Sequence, residues 1–427
     1  MKMLRILLFS FLLFLTSSLW AQSYPFFPIG RYWHFPDARS LSMGGAGSVS
    51  LNTPGAMFYN PAALVQIPAT AAAQLSLSGH KLDERRSYPL YDRFDGIIGK
   101  GVYAINNNWY FQPQGAIAVQ LPGNVLPNLT LAAGSFTEID QNYQYTEEVR
   151  QNIFGDSLLA YNRIQIDGSL RRYGIAVAAE MPNLPALSLG IQAGILDGSL
   201  DYDREIDWVR RDSSEIQAQT RRSLDNTPLV LSFGGIYRIH PRLSAGLSAS
   251  LPYTVKYVDK EKGANEEIGY PMQLTAAMEY RPQQELKARL NVDFTYEFWS
   301  GVEYKSNLAG NISSADNFSD AFVLKAGIEH IFFNHLPFRV GMQYRNSFRE
   351  VGNTAKFSQT LLSAGTGFSS ANWQVEVAGA FSSATYRWPD LFDDAQFGGD
   401  RSASLIDDVD NSFFFGRLTL SYYFGGE

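Results

Sequence analysis

The sequence predicts an all-β fold, a transmembrane antiparallel β-barrel of about fourteen strands with an N-terminal hatch or plug in its lumen. Aromatic residues make up 14% of the 427 residues and charged residues only 18%, where about 25% charged is usual. Many segments alternate apolar and polar residues with a period of two, as strands with one apolar face do. The connections between them alternate between short turns and long loops, which is typical of outer-membrane barrels.

The first 21 residues predict export from the cytoplasm. Lys2 and Arg5 precede an apolar run at residues 6–15, and small residues lead to Ala21, which is the layout of a secretory signal peptide. The sequence holds no Cys, so a secreted chain of this kind is stabilised without disulfides. No later stretch has the roughly 18 apolar residues of a membrane-spanning helix.

Residues 22–69 form a second predicted domain that does not follow the strand pattern. Prolines interrupt it throughout: Pro25, Pro28, Pro36, Pro54, Pro61 and Pro68. The segment is rich in Gly, Ala, Phe and Tyr and poor in charge, so water is an unfavourable environment for it. Since about eight strands are the limit for a barrel filled by its own side chains, we expect this segment to fill the lumen.

The barrel is predicted to occupy residues 70–427. Its strands are expected near residues 70–82, 113–121, 127–145, 168–181, 186–206, 215–238, 241–257, 268–281, 286–303, 321–333, 337–349, 357–369, 372–387 and 411–424. Long loops are expected at residues 83–112 and 388–411. Alternation alone also fits a secreted β-sandwich or propeller. The even strand count, the alternating loop lengths and strands longer than about 15 residues favour the barrel.

The segment at residues 38–64, ARSLSMGGAGSVSLNTPGAMFYNPAAL, resembles the hatch of the FadL/TodX-type outer-membrane transporters. The shared features are Ala38-Arg39, Met43-Gly44-Gly45-Ala46 and Asn60-Pro61-Ala62. Residues 187–198, 293–300 and 336–345 also look like strands of that family. The resemblance implies passive uptake of hydrophobic compounds, long-chain fatty acids or aromatic hydrocarbons, through a hatch-gated barrel with a lateral or periplasmic exit.

The chain departs from this pattern in two places. It has SLNTPGAM where an acidic residue often precedes the Asn-Pro turn, and NPAAL in place of the commoner NPAG. PorV-type barrels of type IX protein secretion share the same hatch and bind secreted proteins. A secretion accessory is therefore the alternative function, and a structural protein with a permanently closed plug is a third.

The resemblance implies ligand contact or gating by seven hatch residues: Gly44, Gly45, Phe58, Tyr59, Asn60, Pro61 and Ala62. For Asn60 and Pro61 the alternative is a simple Asx-type turn that reverses the chain. Several cations are also expected to face the lumen: Lys287, Arg289, Lys325, Arg339, Arg345 and Arg417. They either capture acidic ligands, with Arg289, Lys325, Arg339 and Arg345 as candidates, or form a salt-bridge network with Asp293, Glu297, Glu329 and Glu376.

No catalytic constellation is apparent in the sequence. The five His show no H-E-x-x-H spacing, and there is no G-x-S-x-G elbow or P-loop, so we expect no enzyme, cofactor or metal site. The acidic stretch at residues 389–411 is interpreted as a solvated outer loop rather than a cation site. The net charge of −7 argues against nucleic acid as a partner.

The expected partners follow from the predicted class. They are hydrophobic small molecules and outer-membrane lipids, with secreted proteins under the alternative function. The chain is expected to be a monomer in the cell outer membrane of a Gram-negative-type bacterium, with the signal peptide cleaved near Ala21.

Overall fold

The computed structural model describes residues 29–30, 35–91, 94, 96–122, 126–150, 158–209, 213–282, 287–306, 318–332, 336–348, 358–392 and 406–425. The predicted signal peptide and residues 393–405 of the acidic stretch lie outside these ranges. Within them, no helix has the length and apolar character needed to cross a membrane.

The described residues contain nineteen β-strand segments in one sheet. They are β1 Ala71–Tyr91, β2 Ile97–Gln120, β3 Thr130–Asp140, β4 Tyr143–Arg150, β5 Leu158–Met181, β6 Leu184–Trp208, β7 Ser213–Leu224, β8 Leu229–His240, β9 Leu243–Ser250, β10 Tyr253–Asp259, β11 Ala264–Tyr270, β12 Gln273–Tyr280, β13 Ala288–Glu297, β14 Tyr304–Ser306, β15 Ala321–Phe332, β16 Leu336–Asn346, β17 Ser358–Ser370, β18 Trp373–Pro389 and β19 Ile406–Phe424.

The sheet closes on itself as an antiparallel barrel. The first strand pairs with β2 on one side and with β19 on the other, so Leu75 lies opposite both Gly115 and Leu420. We call one complete passage of the chain along the barrel wall a stave. Five staves consist of two segments each: β3–β4, β7–β8, β9–β10, β11–β12 and β13–β14. The nineteen segments therefore make fourteen staves. This confirms the predicted fold class and strand number.

The apolar face of the strands points outward. In β13, Leu290 and Phe294 are 38% and 43% exposed, whereas Asn291 and Asp293 between them are fully buried. A soluble sandwich would bury the apolar face instead, because that face would form its core. The alternation that the sequence leaves ambiguous is therefore that of a membrane barrel with a polar lumen.

One predicted loop is wrong. The sequence places a long loop at residues 83–112, but β1 continues to Tyr91 and β2 begins at Ile97, with Asp83 opposite Asn107. Backbone hydrogen bonds hold such a hairpin together whatever its side chains are. The polar residues here show no alternation of apolar and polar side chains, and the sequence therefore predicts a loop. The two strands therefore continue the barrel wall through most of the predicted loop.

The N-terminal segment, residues 35–69, folds into short turns that are almost entirely buried. Helix α1 spans Ala38–Ser42, and 3₁₀ helices span Pro54–Phe58 and Pro61–Gln66. The Asp37 carboxylate accepts a hydrogen bond from Ser40 N at 2.7 Å in a capping box. A proline opens each 3₁₀ helix, where its missing N–H is not needed.

Candidate functional site

The first turn of the N-terminal segment contacts the barrel wall through glycines of the segment and glycines of the wall. Gly44 and Gly45 adopt left-handed φ values of 67° and 80°, a region that favours glycine. A Cβ atom on Gly44 would lie 2.6 Å from the backbone of Met342 in β16. Gly341 beside it leaves room for the backbone of Met43. These glycines let the segment and the wall approach backbone to backbone.

The turn at Asn60, Pro61 and Ala62 rests on two further wall glycines. The Asn60 side chain accepts a hydrogen bond from Ala62 N at 3.1 Å, which forms an Asx-type turn. A Cβ atom on Gly190 would lie 2.5 Å from Ala62 N, and one on Gly234 would overlap the Asn60 amide. Gly190 and Gly234 are paired across β6 and β8, so together they form a flat seat for the turn.

Charged wall residues anchor the same segment. The Asp293 carboxylate accepts hydrogen bonds from Gly47 N at 3.1 Å and Ser48 N at 3.0 Å. The Arg39 guanidinium lies 3.1 Å from the Glu329 carboxylate. These contacts satisfy buried groups that would otherwise lose their water partners without replacement.

Tyr59 joins the segment to a lumen cation. Lys325 Nζ donates a hydrogen bond to the Tyr59 hydroxyl at 2.7 Å and lies 4.7 Å from the ring centroid. The Tyr59 hydroxyl donates in turn to the Gly45 carbonyl. Burial and the nearby carboxylates of Asp293 and Asp37 raise the pKa of Tyr59 well above its ordinary value, so the hydroxyl keeps its proton at physiological pH.

The other three candidate lumen cations take part in ion pairs with wall carboxylates. The pairs are Arg289 with Glu279 at 3.6 Å and Glu329 at 3.4 Å, Arg339 with Glu329 at 2.6 Å and Glu376 at 2.8 Å, and Arg345 with Glu297 at 2.6 Å. Glu329 thus serves two wall arginines as well as Arg39 of the N-terminal segment. This is the salt-bridge network that the sequence analysis weighs against ligand capture.

A small cavity of about 60 Å³ lies beside the N-terminal segment. It brings together Phe58, Tyr59, Lys325 and Arg345 from the predicted site. The remaining predicted residues do not line it: Gly44, Gly45, Asn60, Pro61, Ala62, Arg289 and Arg339. The rest of the lining consists of serine, threonine and glutamine side chains with Glu138, Arg172, Glu297 and Val323, so the cavity is mostly polar and carries both signs of charge.

Strand β3 bends into the lumen next to this cavity. Its alternation of buried and exposed residues stops at Phe136, and all residues from 136 to 141 are buried. The pairing of β3 with β5 shifts register between Thr137 and Ile139, as at a β-bulge. The ladder between β2 and β3 extends only from Gly115 and Ser135 to the turn. On the other side of that pair the described residues show no backbone ladder between β2 and β3, and we call this unpaired stretch the gap. Arg171 Nη1 donates a hydrogen bond to the Pro113 carbonyl at 2.8 Å there, and beyond it Asn108 Nδ2 joins β2 to the Gln144 carbonyl of β4 at 2.7 Å.

The bend touches the N-terminal segment directly. The rings of Phe136 and Phe58 stack with 5.3 Å between centroids. The Arg172 guanidinium lies 5.3 Å from the Phe58 ring centroid and 2.8 Å from the Glu138 carboxylate. Phe58 thus lies between Phe136 of the bent strand and Arg172, the residue of β5 that is opposite Phe136.

The sequence pattern does not reveal this bend, and it predicts one strand over residues 127–145. The available signal is the turn-forming sequence Asp140-Gln141-Asn142. In the structure Asp140 accepts a hydrogen bond from Asn142 N at 3.1 Å, and this Asx turn separates β3 from β4.

Comparisons at the level of sequence give no match. No protein-family model and no curated protein matches the chain. The similarity lies in the fold.

Solved structures that are similar to this chain cover more than nine-tenths of it. They include a Pseudomonas aeruginosa FadL homologue, with TM-score 0.66 and 14% identity over 92% of this chain and 100% of that one. The toluene transporter TodX of P. putida gives TM-score 0.61 and 14% identity over 92% and 99%. The toluene transporter TbuX of Ralstonia pickettii gives 0.58 and 15% over 91% and 98%. The chain therefore has the fold of the FadL-type barrels.

Proposed function

We propose that this chain is an outer-membrane channel for passive uptake of hydrophobic compounds, either long-chain fatty acids or aromatic hydrocarbons. Residues 22–69 act as the hatch, and residues 70–427 form the barrel. The observation that carries the proposal is a buried N-terminal segment that contacts the wall beside a break in that wall. The similar structures, a FadL homologue and toluene transporters, support the same class of ligand.

The lumen on the outer side of the hatch is filled by apolar and aromatic side chains, which in this proposal a ligand reaches when the packing opens. A continuous cluster of buried residues there includes Tyr145, Tyr257, Tyr270, Trp299 and Phe348. The rings of Trp299 and Phe348 stack with 3.9 Å between centroids. Burial of apolar ligand surface against such side chains contributes about 25 cal/mol per Å², which favours capture from water.

The gap between β2 and β3 provides a lateral exit. On the membrane side an apolar groove of about 540 Å³ lies over the neighbouring part of the wall, where β2 and β3 are paired. Residues of four staves line this groove, among them Ile117, Leu131, Ile175 and Ile191. A hydrophobic molecule that leaves the lumen here enters the bilayer without crossing water, and the hatch blocks the direct route to the periplasm.

In this proposal the hatch moves relative to the wall glycines against which it packs, and Tyr59 controls access to the polar cavity. The protein performs no covalent chemistry and needs no cofactor. The alternative of a type IX secretion accessory rests on the sequence resemblance alone, whereas the wall gap and the apolar groove fit a small molecule.

Mass spectrometry of small molecules extracted from the purified protein tests the proposal. We expect fatty acids or hydrocarbons with the intact chain and a several-fold lower yield with a variant that lacks residues 22–69. Recovery of secreted proteins with no small apolar molecule would contradict the proposal and favour the secretion accessory. A variant barrel that fails the heat-modifiability test on gels is replaced by Phe58→Ala, which leaves the chain length unchanged.

A further inference from the structure

Arg171 of β5 crosses the gap in the barrel wall on its membrane side. The next residue, Arg172, is 2% exposed and faces the lumen, whereas Tyr173 is 47% exposed, so the alternation along β5 places Arg171 on the outward face. Arg171 Nη1 donates a hydrogen bond to the Pro113 carbonyl of β2 at 2.8 Å and lies 3.4 Å from the Ser135 hydroxyl of β3. One side chain of β5 thus reaches β2, although β3 lies between these two strands in the sheet.

The strand register explains why the Pro113 carbonyl is available to Arg171. The β2–β3 ladder ends with Gly115 opposite Ser135, and its continuation would bring Pro113 opposite Thr137. Thr137 belongs instead to the part of β3 that bends into the lumen, where it stays paired with Arg171 of β5. Among the described residues no ladder partner from β3 faces the Pro113 carbonyl, and the Arg171 guanidinium takes that place.

Side-chain hydrogen bonds close the gap at its outer end. Asn108 Nδ2 donates to the Gln144 carbonyl of β4 at 2.7 Å, and the Asn106 side-chain oxygen accepts from Thr146 N at 2.8 Å. The unpaired stretch of β2 therefore comprises residues 109–114, which is about 20 Å of strand. With the Arg171 hydrogen bond in place, the open part shortens to residues 109–112, about 13 Å. Arg171 thus sets how much of the gap is open.

A second partner for Arg171 lies on its other side. Asp197 of β6 is directly opposite Arg171 in the β5–β6 ladder and is exposed on the same outward face. Within the part of the chain that the structure describes, the Asp197 carboxylate makes no hydrogen bond or ion pair. Side chains that are directly opposite in an antiparallel pair have Cβ atoms about 5 Å apart, so the guanidinium can reach this carboxylate by rotation of its own side chain.

We propose that Arg171 is the gate of the lateral exit and exchanges between two partners. In the closed position it donates to the Pro113 carbonyl across the gap. In the open position it pairs with the Asp197 carboxylate, and the gap has its full length. Neither position leaves the guanidinium unpaired on the lipid face, where a lone charge is unfavourable. The inference rests on the proposed function and names the residue that controls passage through the wall.

Uptake of labelled toluene and palmitate tests this assignment in Gram-negative cells that lack a hydrophobic-compound channel of their own. Arg171→Met keeps a long side chain and removes the charge and the N–H groups, Arg171→Lys keeps a donor, and Asp197→Asn weakens the open position. We expect uptake about three-fold faster than the wild type with Arg171→Met, close to the wild type with Arg171→Lys, and about three-fold slower with Asp197→Asn.

A double variant separates gating from a general effect on the wall. Since Asp197 acts only through Arg171 in this proposal, Arg171→Met combined with Asp197→Asn should take up both probes as fast as Arg171→Met alone. The control is Arg163→Gln, on the same strand and face, which removes an exposed arginine that lies 3.2 Å from Asp207. It should behave as the wild type does, and heat-modifiability on gels shows that each variant is folded.

The other outcomes contradict the gate. Unchanged uptake with Arg171→Met, in cells where the wild type exceeds the protein-free level, overturns the gate and leaves the proposed function standing. Slower uptake with both single variants would make Arg171 a structural link of the wall. A double variant as slow as Asp197→Asn would show that Asp197 acts without Arg171. Wild-type uptake of neither probe above the protein-free level overturns the proposed function together with this inference.

Discussion

Phe58 of the N-terminal segment and Phe136 of the bent strand stack at 5.3 Å between ring centroids, with 24° between the ring planes. Phe58 is 9% exposed and Phe136 is 2% exposed, so water has little access to the contact. It joins the N-terminal segment to the bent strand β3. In the proposed function, displacement of the hatch would therefore act directly on the edge of the lateral exit.

The first prediction concerns this contact. Phe58→Ala removes a buried aromatic ring and leaves a cavity, which costs about 3 kcal/mol. Because the lost contacts lie between hatch and wall, we expect the hatch to undock while the barrel stays folded. Limited proteolysis should then cleave residues 35–69 faster than in the wild type. The control Phe58→Leu keeps most of the volume and should be cleaved at nearly the wild-type rate, and equal cleavage of both variants would contradict the prediction.

Adjacent glycines in β8 give a matched pair of variants. A Cβ atom on Gly234 would overlap the Asn60 side chain, whereas one on Gly235 would meet Leu189 at an ordinary 3.4 Å. We predict that Gly234→Ala displaces the Asn60 turn at a cost of about 1–3 kcal/mol and that Gly235→Ala does not. Hydrogen exchange of the Ala62 and Ala63 amides reports the displacement. Similar exchange rates in the two variants would show that the turn does not rest on Gly234.

Asp293 holds the loop after Gly45 through two backbone amides. Asp293→Asn replaces a charged acceptor by a neutral one that presents a single oxygen, and we predict a loss of about 1.5–3 kcal/mol in hatch docking. The exchange of the Gly47 and Ser48 amides should rise accordingly. Asp203→Asn, which changes an exposed residue paired with Arg221, is the control and should leave these amides unchanged. Amide exchange at the wild-type rate in Asp293→Asn would mean that packing against the wall glycines alone holds the loop.

The outward face of β13 gives a prediction about membrane insertion. Leu290→Arg introduces a charge on the lipid face and should cost about 2–4 kcal/mol near the membrane centre. Ser248→Arg places the same charge at the polar cavity in the lumen and should insert normally. Heat-modifiability on gels measures the folded fraction of each variant. Equal folded fractions would show that the assignment of lipid and lumen faces is wrong.

The sequence predicts the fourteen staves because their period-two pattern is local. It misses the outer part of the β1–β2 hairpin, since the backbone ladder there pairs polar residues such as Asp83 and Asn107, which show no apolar alternation. It also misses the bend in β3, which depends on tertiary contacts such as Phe136 with Phe58. Which cations are paired depends on strand register and on the path of the hatch. The sequence thus places Arg339 and Arg417 alike in the lumen, whereas among the residues that the structure describes only Arg339 is in an ion pair with carboxylates.

The central claim is that hydrophobic compounds pass this barrel only when the hatch can move. The chain contains no Cys, so the double variant Phe58→Cys, Phe136→Cys offers one cysteine pair for a short thiol-cleavable bis-thiol cross-linker. The direct measurement is uptake of labelled fatty acid and toluene by Gram-negative cells that make this variant, with and without cross-linking. We predict that cross-linking reduces uptake to the level of cells without the protein and that cleavage of the linker restores it. Uptake that is the same in the cross-linked and cleaved states would contradict hatch gating, and uptake that never exceeds the protein-free level would contradict transport itself.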